Sequence, residues 1–162
     1  MGRRYRVLYG GTRAGKTYAI LSFLFALGIK ERGLRISVVS LAFPHLRRGA
    51  LRDFEDMMQR FQIPHTYHRT THTFLLPSGS MIEFFSIDQS AKVRGAQRDV
   101  LFINEANLID FDSFSELDVR TRKVVFMDFN PVGRFWLNEF YETHPARESF
   151  IWERFTYRDN PH

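Results

Sequence analysis

Short apolar runs alternate along this chain with longer segments whose apolar residues recur every three to four positions. The first pattern is that of buried strands, the second that of helices packed by one face. Arg6-Val7-Leu8-Tyr9 reads as a strand, and Tyr18 to Lys30 as the helix that follows it. Arg35 to Ser40 is a second, β-branched strand. Pro44 to Phe61 reads as one amphipathic helix: Leu46, Leu51, Phe54, Met57, Met58 and Phe61 share one side, and Arg47, Arg48, Arg52 and Arg60 decorate the other. Thr66 to Arg69, Thr73 to Leu76 and Met81 to Ser86, with Pro77-Ser78-Gly79-Ser80 as a turn, predict an antiparallel edge or hairpin insertion. Val100 to Asn104 and Val124 to Phe129 are short buried strands. Asp112 to Arg120 reads as a helix capped by an aspartate, Arg134 to Tyr141 as a short helix and Ser149 to Phe155 as a last strand. Such alternation predicts an α/β domain with a mainly parallel sheet. At 162 residues, without a repeat, linker or low-complexity segment, the chain reads as one domain over 1–162.

Composition narrows the chemistry. There is no Cys, which excludes disulfides, thiolate metal sites and a thiol nucleophile. Hydrophobic residues at 44% and charged residues at 25% are ordinary for a globular protein, and most of the 17 Phe are expected in the core. The longest apolar run, Ala19 to Ile29, is too short to span a bilayer and contains Ser22 and Gly28, so no membrane segment is expected; no signal peptide is expected either, because a glycine-rich loop already begins at Gly10. A net charge of +5 favours a polyanionic partner. The arginines on the Pro44–Phe61 segment read as a solvated face in preference to a DNA-binding one. His65, His68 and His72 do not share one face of a strand, and Ser113, Ser115 and Asp118 lack a positioned His; neither group reads as a metal or catalytic centre. Arg120, Arg122 and Lys123 fit either phosphate contacts or a strand entrance.

The stretch richest in chemistry is Gly10-Gly11-Thr12-Arg13-Ala14-Gly15-Lys16-Thr17. It fits the phosphate-binding loop G-x-x-x-x-G-K-[ST] and stands between a predicted strand and a predicted helix, as that loop requires. Glycines let backbone N–H groups and a helix N-terminus wrap a polyphosphate. Lys16 supplies a cation for the terminal phosphates, and Thr17 a hydroxyl ligand for Mg²⁺. All eight residues are candidate contacts to a nucleoside triphosphate.

A hydrolytic site needs a second, acidic element beside that loop. Val100-Leu101-Phe102-Ile103-Asn104-Glu105 is an apolar strand ending in polar residues. Asn104 stands where an Asp commonly holds Mg²⁺ through water; it can orient such a water but brings no charge. Glu105 is in place as general base and, through water, as a metal partner. A Glu there resembles the additional-strand, catalytic-glutamate (RecA-like) branch of phosphate-loop ATPases. In that branch a further strand lies between the phosphate-loop strand and the acidic strand. Val124 to Pro131 fits it, with Asn130 as the polar sensor at its end. Asp128 has no acidic partner on neighbouring strands and does not read as a nuclease ligand.

Taken in order, the loop with its internal Arg13, Lys92-Val93-Arg94-Gly95, Ile103-Asn104-Glu105-Ala106-Asn107, Asp128-Phe129-Asn130-Pro131, Phe135-Trp136-Leu137 and Tyr157-Arg158-Asp159-Asn160-Pro161 resemble the ATPase domain of the large terminase subunit of tailed bacteriophages. The resemblance covers nearly the whole chain. It implies an ATPase using ATP and Mg²⁺ that moves double-stranded DNA, without sequence preference, into a procapsid. It further implies portal protein and small terminase subunit as partners, a homo-oligomeric ring, and the host cell cytoplasm as location. Arg13 resembles the arginine that senses the terminal phosphate in cis. Arg94 is similar to the arginine finger offered to a neighbouring subunit, and Asn130 to the coupling motif. A lid subdomain and a nuclease domain do not fit into 162 residues, so no endonuclease activity is expected of this chain. The alternative is another additional-strand DNA motor, helicase-like or recombinational; a nucleotide-binding module without turnover is a third class.

Overall fold

In a computed structural model of the chain, residues 2–12, 15–88, 95–156 and 158 are described. Among the described residues eight strands form one sheet: β1 (Tyr5–Gly10), β2 (Arg35–Ser40), β3 (Thr66–His68), β4 (Thr73–Leu75), β5 (Met81–Ser86), β6 (Arg98–Ile103), β7 (Thr121–Phe129) and β8 (Phe150–Phe155). Their order is β3-β4-β5-β2-β6-β7-β1-β8. From β5 to β8 every neighbouring pair is parallel, whereas β3–β4 and β4–β5 are antiparallel. The antiparallel edge expected from the sequence is therefore β3 and β4, and β5 joins the parallel body beside β2. As expected, β7 lies between β1 and β6.

The helices are α1 (Lys16–Lys30), α2 (Phe43–Arg48), α3 (Ala50–Phe61), α4 (Phe111–Asp118) and α5 (Trp136–Thr143). The predicted helix from Pro44 to Phe61 is two helices. The chain breaks at Gly49 (φ −113°, ψ −104°), a conformation outside the helical region. The predicted helix at Asp112 begins one residue earlier, because Asp110 is its cap and accepts from Ser113 N–H at 2.8 Å.

Strand residues alternate between two cores, one on each face of the sheet. Val38, Phe84 and Phe102 point into the core beneath α1, α2 and α3, with Leu21, Leu24, Leu46, Phe54 and Met58. Their neighbours Val39, Phe85, Leu101 and Ile103 join the other core with Phe114, Leu117 and Leu137 of α4 and α5. All six residues of β6 are buried, as a central strand covered on both faces requires. Phe54 packs among Phe25, Phe74 and Phe84 with no exposed surface; truncating such a ring costs about 3–5 kcal/mol. At the opposite end of the sheet from the phosphate loop, Arg4 pairs with Asp118 at 2.8 Å and Tyr5 donates to the same carboxylate at 3.0 Å. Burial, then the Asp118 charge, pushes the Tyr5 phenol up to about 12. Nearby, Arg122 and Lys123 face Asp99 at 3.3 and 3.7 Å, which favours the strand-entrance reading of these cations.

Candidate nucleotide site

Strand register assembles the site. β1 and β7 run parallel with Leu8 beside Asp128, and β6 and β7 with Ile103 beside Met127. One residue further along β6, Asn104 comes to lie beside Asp128. The carboxyl ends of β1, β6 and β7 thus converge, the place where open parallel sheets bind ligands.

The phosphate loop leaves β1 at Gly10 and enters α1 through Gly15, whose left-handed φ of 79° suits glycine. Gly10 is constrained by its neighbour strand: a Cβ there would sit 1.9 Å from the carbonyl oxygen of Phe155 on β8. Lys16 is buried and donates to the carbonyls of Gly10 and Gly11 at 2.9 and 3.0 Å and to Asn130 Oδ1 at 3.0 Å. Burial lowers its pKa, and the Asp128 charge opposes that shift. Asn130 Nδ2 also lies 3.5 Å from Thr12 Oγ1, so the candidate sensor contacts the loop from both ends of its amide. Arg13 and Ala14 of the loop lie outside the described residues, as do Lys92, Val93, Arg94, Tyr157 and Asp159 to Pro161.

Asp128 is the hub that sequence reading passed over. It is 2 % exposed and accepts from Thr17 Oγ1 at 2.5 Å, from Glu105 N–H at 2.7 Å and from Asn104 Nδ2 at 3.1 and 3.2 Å. Burial raises its pKa, while these donors and the Lys16 charge lower it. The signal was an acid inside the apolar run Val124 to Phe129, since a buried carboxylate requires partners.

Glu105 follows β6 in the left-handed region (φ 58°, ψ 57°), unusual for a residue with a Cβ. The turn carries its half-exposed carboxylate to 3.5 Å from His45 Nδ1. His45 and Arg48, both on α2, line the same cleft of about 460 Å³ together with Lys16, Thr17, Asn104, Asp128 and Asn130. The sequence placed Arg48 on a solvated face and gave His45 no role, and the break at Gly49 that separates α2 from α3 is invisible to helical periodicity.

The donor set suits magnesium. Thr17 and Asp128 offer hard oxygens side by side, and such a cation takes one or two protein oxygens and completes its shell with phosphate and water. Among the described residues no cluster of three or more His, Cys, Asp or Glu forms an all-protein metal cage.

A parallel sheet whose glycine-rich loop joins β1 to α1, with an additional strand beside β1 and polar groups gathered at the strand ends, defines a RecA-like phosphate-loop fold. Residues 2–162 match the family model of the phage terminase large subunit, and the chain belongs to that family. It is 29% identical over 134 residues to tripartite terminase subunit 3 of Gallid herpesvirus 2, covering 75% of this chain and 18% of that protein. The large terminase of a thermophilic bacteriophage superposes with a TM-score of 0.84 at 17% identity, over 98% of this chain and 42% of that one. The same terminase bound to ATP-gamma-S superposes at 0.80 and 18% identity, over 98% and 41%. The chain thus spans less than half the length of these relatives.

Proposed function

We propose that this chain is the ATPase domain of a DNA-packaging motor, hydrolysing ATP with Mg²⁺ and coupling the reaction to movement of double-stranded DNA. The observation that carries the reading is the convergence of Lys16, Thr17, Glu105 and Asn130 on one cleft at the strand ends. Family membership and the ATP-gamma-S complex of the phage relative support it.

In this reading the loop N–H groups and Lys16 hold the phosphates, and Lys16 exchanges the carbonyls of Gly10 and Gly11 for phosphate oxygens. Thr17 would hold magnesium, which would supply positive charge to offset that of the phosphate oxygens. Glu105 accepts a proton from the attacking water. Asn130 touches Lys16, so the end of β7 responds when the lysine changes partner, which is a route from nucleotide state to DNA movement. Arg13 senses the terminal phosphate in cis, and Arg94 completes the site of a neighbouring subunit in a ring. DNA is gripped by its backbone without sequence preference. Portal protein, procapsid and small subunit are the partners, in the host cytoplasm.

Nucleotide binding and phosphate release by Glu105→Gln and Lys16→Ala test the assignment. Glu105→Gln should bind a fluorescent ATP analogue as the unaltered chain does while phosphate release falls by about 100-fold or more. Lys16→Ala should lose binding. Undiminished phosphate release by Glu105→Gln would remove Glu105 from the role of base.

A further inference from the structure

The acidic strand of this site carries no acid where magnesium is to be held; Asn104 stands there instead. Resting on the ATPase reading above, we propose that the anionic charge of the magnesium site is supplied from the next strand, by Asp128 of β7, with Asn104 serving to position that carboxylate. The two residues would then have divided between adjacent strands a task usually met by one side chain.

Three observations carry this. First, the Thr17 hydroxyl donates its hydrogen to Asp128 Oδ2 at 2.5 Å and accepts from Asn104 Nδ2 at 3.3 Å, which leaves one lone pair for a cation on the phosphate side. Asp128 therefore fixes the orientation in which Thr17 can act as a ligand. Second, Asn104 presents N–H groups, not its oxygen, to this point: Nδ2 reaches both oxygens of Asp128 at 3.1 and 3.2 Å and Thr17 Oγ1 at 3.3 Å. The reverse orientation would set an amide oxygen against a carboxylate at the same separation, two acceptors with no hydrogen between them. Third, Asp128 also takes the N–H of Glu105 at 2.7 Å, so one carboxylate aligns the candidate metal ligand and the candidate base together. A residue acting only to satisfy a buried turn would have no need of Thr17.

The test measures binding, not turnover. The full chain is titrated with mant-ADP in Mg²⁺ and again in EDTA, and the ratio of the two affinities is the read-out. Asp128→Asn, nearly identical in shape, should cut that ratio by about tenfold or more, the usual cost of losing a group that orients a metal ligand. Asn104→Ala leaves the carboxylate in place and should reduce the ratio less. The double variant Asn104→Asp with Asp128→Asn moves the charge one strand over while keeping it within reach of Thr17, and should recover most of the ratio. A purely structural role predicts no such recovery.

An unchanged ratio in Asp128→Asn would overturn the proposal, as would a larger loss in Asn104→Ala than in Asp128→Asn. Should Asp128→Asn fail to fold, judged by thermal melting, the other two variants decide: a collapsed ratio in Asn104→Ala, or none regained in the exchanged pair, counts against it. Failure of the unaltered chain to bind mant-ADP in either condition would sink the ATPase reading itself. Binding that is magnesium-dependent but indifferent to Asp128 would sink this proposal alone.

Discussion

Glu105 offers a thermodynamic test of how the site is aimed. Its backbone sits at φ 58° and ψ 57°, where a Cβ crowds the following carbonyl. That crowding costs about 1–2 kcal/mol for any residue other than glycine. Glu105→Ala keeps the cost and removes the carboxylate; Glu105→Gly removes both. Glycine, however, loses more chain entropy on folding, by about 0.5–1 kcal/mol relative to alanine. The difference leaves the Gly variant more stable than the Ala variant by about 0.5–1 kcal/mol. At about 2–4 °C per kcal/mol for a chain of this size, its melting point should be roughly 1–4 °C higher. In an ordinary strand or helix the sign is reversed, so the sign alone reports the backbone conformation. The exposed His45–Glu105 contact is lost equally in both variants and cancels. Urea unfolding of the pair, with phosphate release measured alongside, makes the comparison. Both variants should be equally inactive. A Gly variant less stable than the Ala variant would refute the claim that strain in this turn directs the carboxylate into the cleft.

Gly10→Ala should destabilise through β8, because its Cβ meets the Phe155 carbonyl oxygen at 1.9 Å. A cost of about 1–3 kcal/mol or more is expected in urea unfolding, and an unchanged midpoint would show that β8 does not need the glycine. For Tyr5, whose phenol is pushed up to about 12 by burial and by Asp118, the folded state holds a proton that the unfolded chain releases near pH 10. Its contribution is therefore complete below pH 10 and lost as pH rises towards 12. Tyr5→Phe should show a shallower loss of stability across that window than the unaltered chain, and parallel curves would count against the shift. Replacing the helix cap by Asp110→Ala should cost about 1 kcal/mol near neutral pH. Because hydrogen bonds to Ser113 lower the Asp110 pKa, that advantage should fade as pH falls through the folded-state value, measured as converging melting points of the two proteins.

Much of the sheet was legible because its central strands are continuous apolar runs. Residues 100–103 and 124–127 are uninterrupted by charge, and the loop at Gly10 to Thr17 announces both the strand before it and the helix after it. The boundary errors have local causes. The apolar spacing Leu46, Ala50, Phe54 continues through Gly49, so periodicity joins α2 to α3 although the backbone leaves the helix there. Asp110 and Asp112 are both plausible caps by composition. Only the Ser113 N–H, aimed at Asp110, distinguishes them.

Asp128 was passed over for a different reason, and it bears on how such sites are read. A motif search follows residues along one strand, and along the acidic strand the search ends at Asn104-Glu105 without a metal-side charge. In a parallel sheet, however, residues at equal heights on adjacent strands are as close as neighbours in a motif, whatever their separation in sequence. Here a sequence separation of 24 between Asn104 and Asp128 collapses to one hydrogen bond of 3.1 Å once β6 and β7 pair Ile103 with Met127. The charge missing from one strand end is thus to be sought at the same height on the strands beside it. In this chain an acid flanked by Met127 and Phe129 had already marked the place, since a carboxylate is not retained in an apolar central strand unless donors meet it there.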